Sequence, residues 1–176
     1  MNYKFITREE TSNYCSSIIA QMMDDKFKPD VLLTLLWGGV IPTRIFMDLY
    51  DMDRHQCFAS FASSYTGIGK KGNVKLSHPF SPEELKGKNV LILDDIWDSG
   101  DTLVKTIKSL EDHVNSVKTA CIVTKETYRD LPISVQISKT CPYERGPDYF
   151  GDHVAKSTWV VFDWEKNEFL RDVNAK

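Results

Sequence analysis

Polar and apolar residues fall along this chain in two alternating rhythms. Val31 to Leu36 and Val90 to Leu93 are apolar runs with almost no polar alternation, the mark of strands buried on both faces. Val117 to Thr124, with Val117, Ala120, Ile122 and Val123, reads as another strand, and His55 to Phe61 alternates enough to be a further one. Between them lie stretches with helical spacing. Thr7-Arg8-Glu9-Glu10 predicts a capping box, followed by Tyr14, Cys15, Ile18, Ile19, Met22 and Met23 as one apolar stripe, the methionines filling core. Thr43 to Tyr50 predicts a second helix, and Leu103, Ile107 and Leu110 a third. Strands alternating with helices predict an α/β fold, a mainly parallel twisted sheet flanked by helices. With 176 residues and no internal repeat or low-complexity linker, residues 1–176 form a single domain.

Two of the strand–helix turns carry candidate chemistry. The Val90 strand runs into Asp94-Asp95-Ile96-Trp97-Asp98-Ser99-Gly100-Asp101-Thr102. Ligands of open parallel sheets gather beyond the carboxyl ends of the strands, which is where Asp94, Asp95 and Asp98 are expected. Backbone N–H groups from Ser99 to Thr102 would point outward at a helix start and cradle an anion, with Gly100 permitting the tight turn. Asp94 and Asp95 are poor phosphate ligands but suit vicinal hydroxyls and a hydrated Mg²⁺. One end of the loop thus takes a phosphate and the other a diol with a hard cation, a pattern that fits a sugar phosphate. After Val31 to Leu36, Trp37-Gly38-Gly39-Val40-Ile41-Pro42 makes a second tight turn whose N–H groups can face a ligand.

The run from Val90 to Thr102 resembles the phosphoribosyl pyrophosphate (PRPP) signature of the type I phosphoribosyltransferases. By that resemblance Asp94, Asp95, Ser99, Gly100, Asp101 and Thr102 bind PRPP, Asp94 and Asp95 partly through Mg²⁺, and Asp98 is the general acid/base that contacts purine N7. Trp37, Gly38 and Gly39 are similar to the family's pyrophosphate loop, but Trp37 stands where that loop typically carries arginine. Arg44, one turn later, is a candidate substitute cation. The Gly- and Lys-rich stretch Ser63 to Lys75 reads as a mobile surface loop. It is similar to the family's closing loop, with Lys70, Lys71 and Lys75 as candidates for steering polyphosphate.

The segment Pro147-Asp148-Tyr149, then Trp159-Val160-Val161-Phe162-Asp163-Trp164-Glu165, resembles the hood of the 6-oxopurine branch, the xanthine–guanine and hypoxanthine enzymes. Asp163 departs from a common proline. The resemblance implies that Trp159 stacks on the purine, that the carbonyl of Val160 reads the exocyclic position, and that Lys125 reads O6. Each is chemically apt: an aromatic face for a flat ring, an ammonium for a carbonyl oxygen. Trp159 also fits a core strand, and Lys125 an ordinary surface lysine. Residues 126–165 are expected to contribute the base-binding hood, as part of a small C-terminal and N-terminal cap.

Composition narrows the alternatives. A net charge of −3 disfavours a nucleic-acid binder with a basic face, and no apolar run reaches membrane-spanning length. The N-terminus lacks a signal-peptide pattern, and Cys15, Cys57, Cys121 and Cys141 lack metal spacing, so free thiols in a reducing cytoplasm are expected. His55 has no partner at metal spacing. The resemblance implies a Mg²⁺-dependent purine salvage enzyme acting on PRPP and a purine base, commonly a homo-oligomer. A regulator that kept the fold and lost the chemistry is the alternative that Trp37 favours. An orotate or uracil enzyme conflicts with the aromatic C-terminal segment.

Overall fold

A computed structural model describes residues 2–65, 71–125 and 146–174, without side-chain detail for 62–65, 71–75 and 172–174. Six strands form the main sheet: β2 (Val31–Leu36), β3 (Cys57–Tyr65), β4 (Lys71–Ser77), β5 (Asn89–Trp97), β6 (Ser116–Lys125) and β7 (Tyr149–Val154), in the order β4-β3-β2-β5-β6-β7. All neighbours are parallel except β3 and β4. β1 (Asn2–Ile6) and β8 (Thr158–Phe162) pair in parallel as a separate two-stranded cap. Helices α1 (Arg8–Asp24), α2 (Val40–Tyr50), α3 (Asp101–Leu110) and α4 (Lys166–Asn174) complete the described chain.

The sheet is buried on both faces, as the unbroken apolar runs require. Leu91 and Leu93 of β5 pack with Ile18, Met22 and Phe46 from α1 and α2. Val90 and Ile92 pack on the other face with Leu103, Ile107 and Leu110 from α3. The capping box forms as expected: Glu10 N–H donates to Thr7 Oγ1 at 3.1 Å and Thr7 N–H to Glu10 Oε2 at 2.8 Å. Cys15 and Cys121 are buried free thiols and Cys57 is half-buried. Burial pushes the Cys15 thiol up to about 12. Cys141 lies outside the described residues, and no described helix is long and apolar enough to cross a membrane.

Several expectations need correction. Met23 is 68% exposed, so only Met22 of the pair fills core. The stretch Ser63 to Lys75 is not wholly a surface loop: β3 runs to Tyr65 and β4 begins at Lys71, paired antiparallel with a register shift between Ser63 and Tyr65. Its polar composition suits an edge strand, which a core pattern cannot reveal. Lys71 and Lys75 lie on β4, and Lys70 falls outside the described residues. The range 126–165 expected to contribute the hood divides in the structure. Residues 126–145 lie outside the described part, and β7 joins the main sheet beside β6. Of that range β8 stands apart from the main sheet, paired with β1.

His78, just after β4, ties this edge to the helix below it. Its Nδ1 lies 2.9 Å from Ser60 Oγ on β3 and its Nε2 3.1 Å from Ser109 Oγ on α3. Ser109 Oγ donates to the Thr106 carbonyl, so it accepts from Nε2–H and Nδ1 is left to accept from Ser60. Burial holds the imidazole below its ordinary value of 6.5, favouring this neutral form. The unfolded chain therefore binds the extra proton, and stability present above about pH 6.5 is lost as pH falls. Thermal melts should show His78→Gln less stable than the parent at pH 7.5, by about 1 kcal/mol, with the gap narrowing towards pH 5. Parallel melting curves across that range would remove His78 as the titrating group.

Candidate active site

The strand order reverses direction between β2 and β5: β2 is followed outward by β3, and β5 by β6 on the other side. Such a switch point leaves a crevice beyond the carboxyl ends of the two strands. Both turns singled out from the sequence end there. A Cβ on Gly38, after β2, would overlap the carboxylate of Asp95 on β5, so the glycine pair and the acids share one rim.

β5 continues to Trp97, past the Leu93 end expected from the apolar run. Asp94 and Asp95 therefore sit within the strand and leave it on opposite faces. Asp94, Asp98 and the Ser99–Leu103 turn line a cleft of about 200 Å³ in front of α3. A second cleft, about 270 Å³, contains Asp98, Lys125, Trp159 and Val160, and Asp95 lines both. The residues assigned to phosphate, diol and base thus fall into two adjoining clefts that meet at Asp95 and Asp98.

The anion end is built by the backbone. Gly100 adopts φ 78° at the mouth of α3, where a Cβ would also collide with the buried Trp97 ring. Glycine is required on both counts. Gly100 at the N-cap has no side chain to cap α3; Asp101 N–H donates to Ser99 Oγ at 3.5 Å, and the N–H groups that follow it and the helix dipole face the cleft. Ser99 Oγ donates to Asp101 Oδ2 at 3.0 Å, which braces the turn.

The acid end is electrostatically unbalanced. Asp95 is 7% exposed, and no cation among the described residues pairs with Asp94 or Asp95. Asp94 Oδ1 accepts the N–H of Asp95 at 3.0 Å. Burial drives both carboxyls above the usual range, Asp94 to about 7, and for Asp95 the charges of Asp94 and then Glu165 add to it. No cluster of three or more acids, histidines or cysteines able to hold a metal occurs among the described residues. Two hard carboxylates without a protein cation nonetheless suit a hydrated Mg²⁺, which Asp94 and Asp95 would hold.

The base end joins three elements. Lys125 at the end of β6 is 12% exposed and holds Asp98 Oδ1 at 3.3 Å, so its ammonium is part of the cleft and not of the outer surface. Trp159 on β8 is 52% exposed and offers its ring. The Val160 side chain is buried in the core, which leaves its backbone for the cleft.

Other candidates are less engaged. Trp37 is 77% exposed and stands edge-on to Phe61; the Leu36–Trp37 peptide is cis. Arg44 pairs with Asp48 along α2 at 2.8 Å and supplies no cation to either cleft. His55 is exposed beside Asp53. Glu165, Glu168 and Phe169 line the base cleft without having been assigned to it. Glu165 stood at the end of a recognised pattern, but the α4 residues carried no signal of their own.

Residues 8–145 match the sequence profile described as the phosphoribosyl transferase domain. This chain belongs to that family. Relatives include the hypoxanthine-guanine phosphoribosyltransferase of Canis lupus familiaris, 29% identical over 112 residues, covering 63% of this chain and 46% of that protein. The chain thus spans about half the length of the curated mammalian relatives it matches. The Staphylococcus aureus enzyme of the same name is 26% identical over 142 residues, covering 79% of each. A purine phosphoribosyltransferase from Pyrococcus horikoshii superposes with a TM-score of 0.66 at 26% identity, covering 93% of this chain and 95% of the other. These relatives lie in the 6-oxopurine branch to which the C-terminal segment points.

The unbalanced acids generate a prediction for this phosphoribosyltransferase fold. With divalent cations removed, Asp95→Asn should raise the melting temperature at pH 8 by several degrees, reflecting about 2 kcal/mol of relieved charge burial. A lower melting temperature would mean that the carboxylate is stabilised by groups not identified in the site.

Proposed function

We propose that this chain transfers the 5-phosphoribosyl group from PRPP to a ring nitrogen of a 6-oxopurine and releases pyrophosphate, a purine salvage reaction. The observation that carries this is the adjacency of the two clefts: a helix mouth with glycine at its N-cap beside paired acids, and an aromatic–lysine pocket, meeting at Asp95 and Asp98.

In this scheme the 5′-phosphate sits on the N–H groups of the Ser99–Thr102 turn, with the hydroxyls of Ser99 and Thr102 as further donors. Asp94 and Asp95 hold the ribose diol, which gives their charges hydrogen-bond donors in place of bulk water. Mg²⁺, held by the same two carboxylates through its water shell, would supply positive charge to the pyrophosphate leaving group. The Trp37–Gly39 turn would receive pyrophosphate with the N–H groups of Trp37 and Gly38 in place of a guanidinium, the Gly39 N–H being donated to the Leu35 carbonyl at 2.9 Å.

The C1′–O bond to pyrophosphate breaks and a bond from C1′ to the purine nitrogen forms. The bond-breaking pair leaves with pyrophosphate, and the purine surrenders one proton. Asp98 takes that proton at N7. Lys125, 3.3 Å from Asp98, offers its ammonium to O6 on the same edge of the base. Trp159 covers the ring, so positioning and a preorganised electrostatic field supply most of the acceleration.

A regulator that binds PRPP without turnover rests on Trp37 alone, whereas Asp98 and Lys125 retain the pairing that proton transfer needs. Incubation with labelled PRPP, Mg²⁺ and guanine, hypoxanthine or xanthine should yield nucleoside monophosphate and pyrophosphate. Saturable PRPP binding with no pyrophosphate release would select the regulator. Asp98→Asn should lower kcat about 10²-fold or more while PRPP affinity, measured by calorimetry, changes by less than about threefold. Full activity in that variant would end the assignment of Asp98.

A further inference from the structure

The base cleft has one wall that the proposed reaction leaves without a role. Asp98 and Lys125 lie 3.3 Å apart, which suits the N7–H donor and the adjacent O6 acceptor on one edge of the free purine. With that edge on Asp98 and Lys125, and the sugar nitrogen towards Asp94 and Asp95, the N1–C2 edge faces the rest of the lining. That part comes from β8 and the segment after it: the Val160 backbone, expected to meet the exocyclic position, and then the acids Glu165 and Glu168 and the ring of Phe169.

The wall is held in place from outside the sheet. Glu165 Oε2 accepts the Phe162 N–H at 3.2 Å, fixing its carboxylate at the end of β8. Phe169 packs edge-on against Tyr3 and Phe5 of β1, with ring centroids 5.2 and 5.7 Å apart. That anchors α4, and with it Glu168, over the cleft. Burial raises the Glu165 carboxyl, and Glu168 raises it further, so the two charges are felt together.

We propose that Glu165 and Glu168 make this cleft selective for guanine over xanthine, by accepting hydrogen bonds from the N1–H and 2-amino group and by opposing a C2 carbonyl. The three 6-oxopurines share O6 and differ at C2: an amino donor in guanine, a hydrogen in hypoxanthine, a carbonyl acceptor in xanthine. Carboxylates have only acceptors, so they pair with the amino group and leave a facing carbonyl oxygen unpaired. Xanthine is also the most acidic of the three, and its anion meets like charge in the cleft. Positive discrimination and repulsion act in the same direction.

The proposal rests on the placement of the base under Proposed function, so its test uses nucleotide binding, which needs no turnover. Calorimetric titration with GMP, IMP and XMP should give affinities in that order, with GMP about tenfold or more tighter than XMP. Glu168→Gln, an exposed helix position whose substitution spares the fold, should shrink the GMP-to-XMP ratio about fivefold or more, chiefly by improving XMP. Glu165→Gln should act in the same direction. XMP binding as tightly as GMP, or an unchanged ratio in both variants, would overturn the selectivity while leaving purine binding intact. If none of the three nucleotides binds, the selectivity and the base-site assignment fall together. Binding with the predicted order but no pyrophosphate release would sustain the selectivity and remove the catalytic proposal.

Discussion

The structure turns on two ionisable carboxyls set into a buried strand with no basic partner among the described residues. Most proteins avoid this arrangement, because a desolvated charge without a partner costs several kcal/mol. Asp94 and Asp95 persist within β5, towards its carboxyl end, and burial raises both above their ordinary range. Such a defect in a packed sheet is an invitation to a ligand: something rich in hydroxyl donors and accompanied by a cation removes the imbalance. A few residues along the chain, the start of α3, with glycine at its N-cap, presents the opposite polarity and calls for an anion. A sugar bearing phosphate at one end and a diol at the other satisfies both at once.

Sheet topology brings the remaining parts to the same place. The reversal of strand order between β2 and β5 sets the Gly38 turn against Asp95, and β6, beside β5, delivers Lys125 to Asp98. The cap then closes the base side. β1 and β8 are far apart in the chain but pair in parallel, so the first residues of the protein hold Trp159 and α4 over the cleft. Selectivity within the cleft therefore depends on N-terminal aromatic packing as well as on the residues that face the base.

Much of this was legible from sequence because the informative features are local. An apolar run, two acids and a glycine turn within a few residues specify a buried strand and a helix mouth, although β5 runs on to Trp97, past the apolar run itself. The capping box at Thr7 and the buried strands at Val31 and Val90 are local in the same sense. What escaped depends on contacts distant in sequence. Lys71 to Ser77 is a polar edge strand recognisable only through its pairing with β3. Tyr149 to Val154 joins the main sheet because β6 offers an edge, and no periodicity in its own residues announces that. Glu168 and Phe169 reach the cleft only because Phe169 packs on β1, a relation between opposite ends of the chain. Met23 shows the converse error: a helical stripe predicts a face, and the outermost members of that face remain in water.

The measurement that bears most directly on this account is a crystal structure of the complex with GMP. The account places the phosphate on the N–H groups of residues 99–102, the ribose hydroxyls on Asp94 and Asp95, and the base between Trp159 and the Lys125–Asp98 pair. A nucleotide bound with its phosphate away from the mouth of α3, or its sugar away from the two acids, would contradict it.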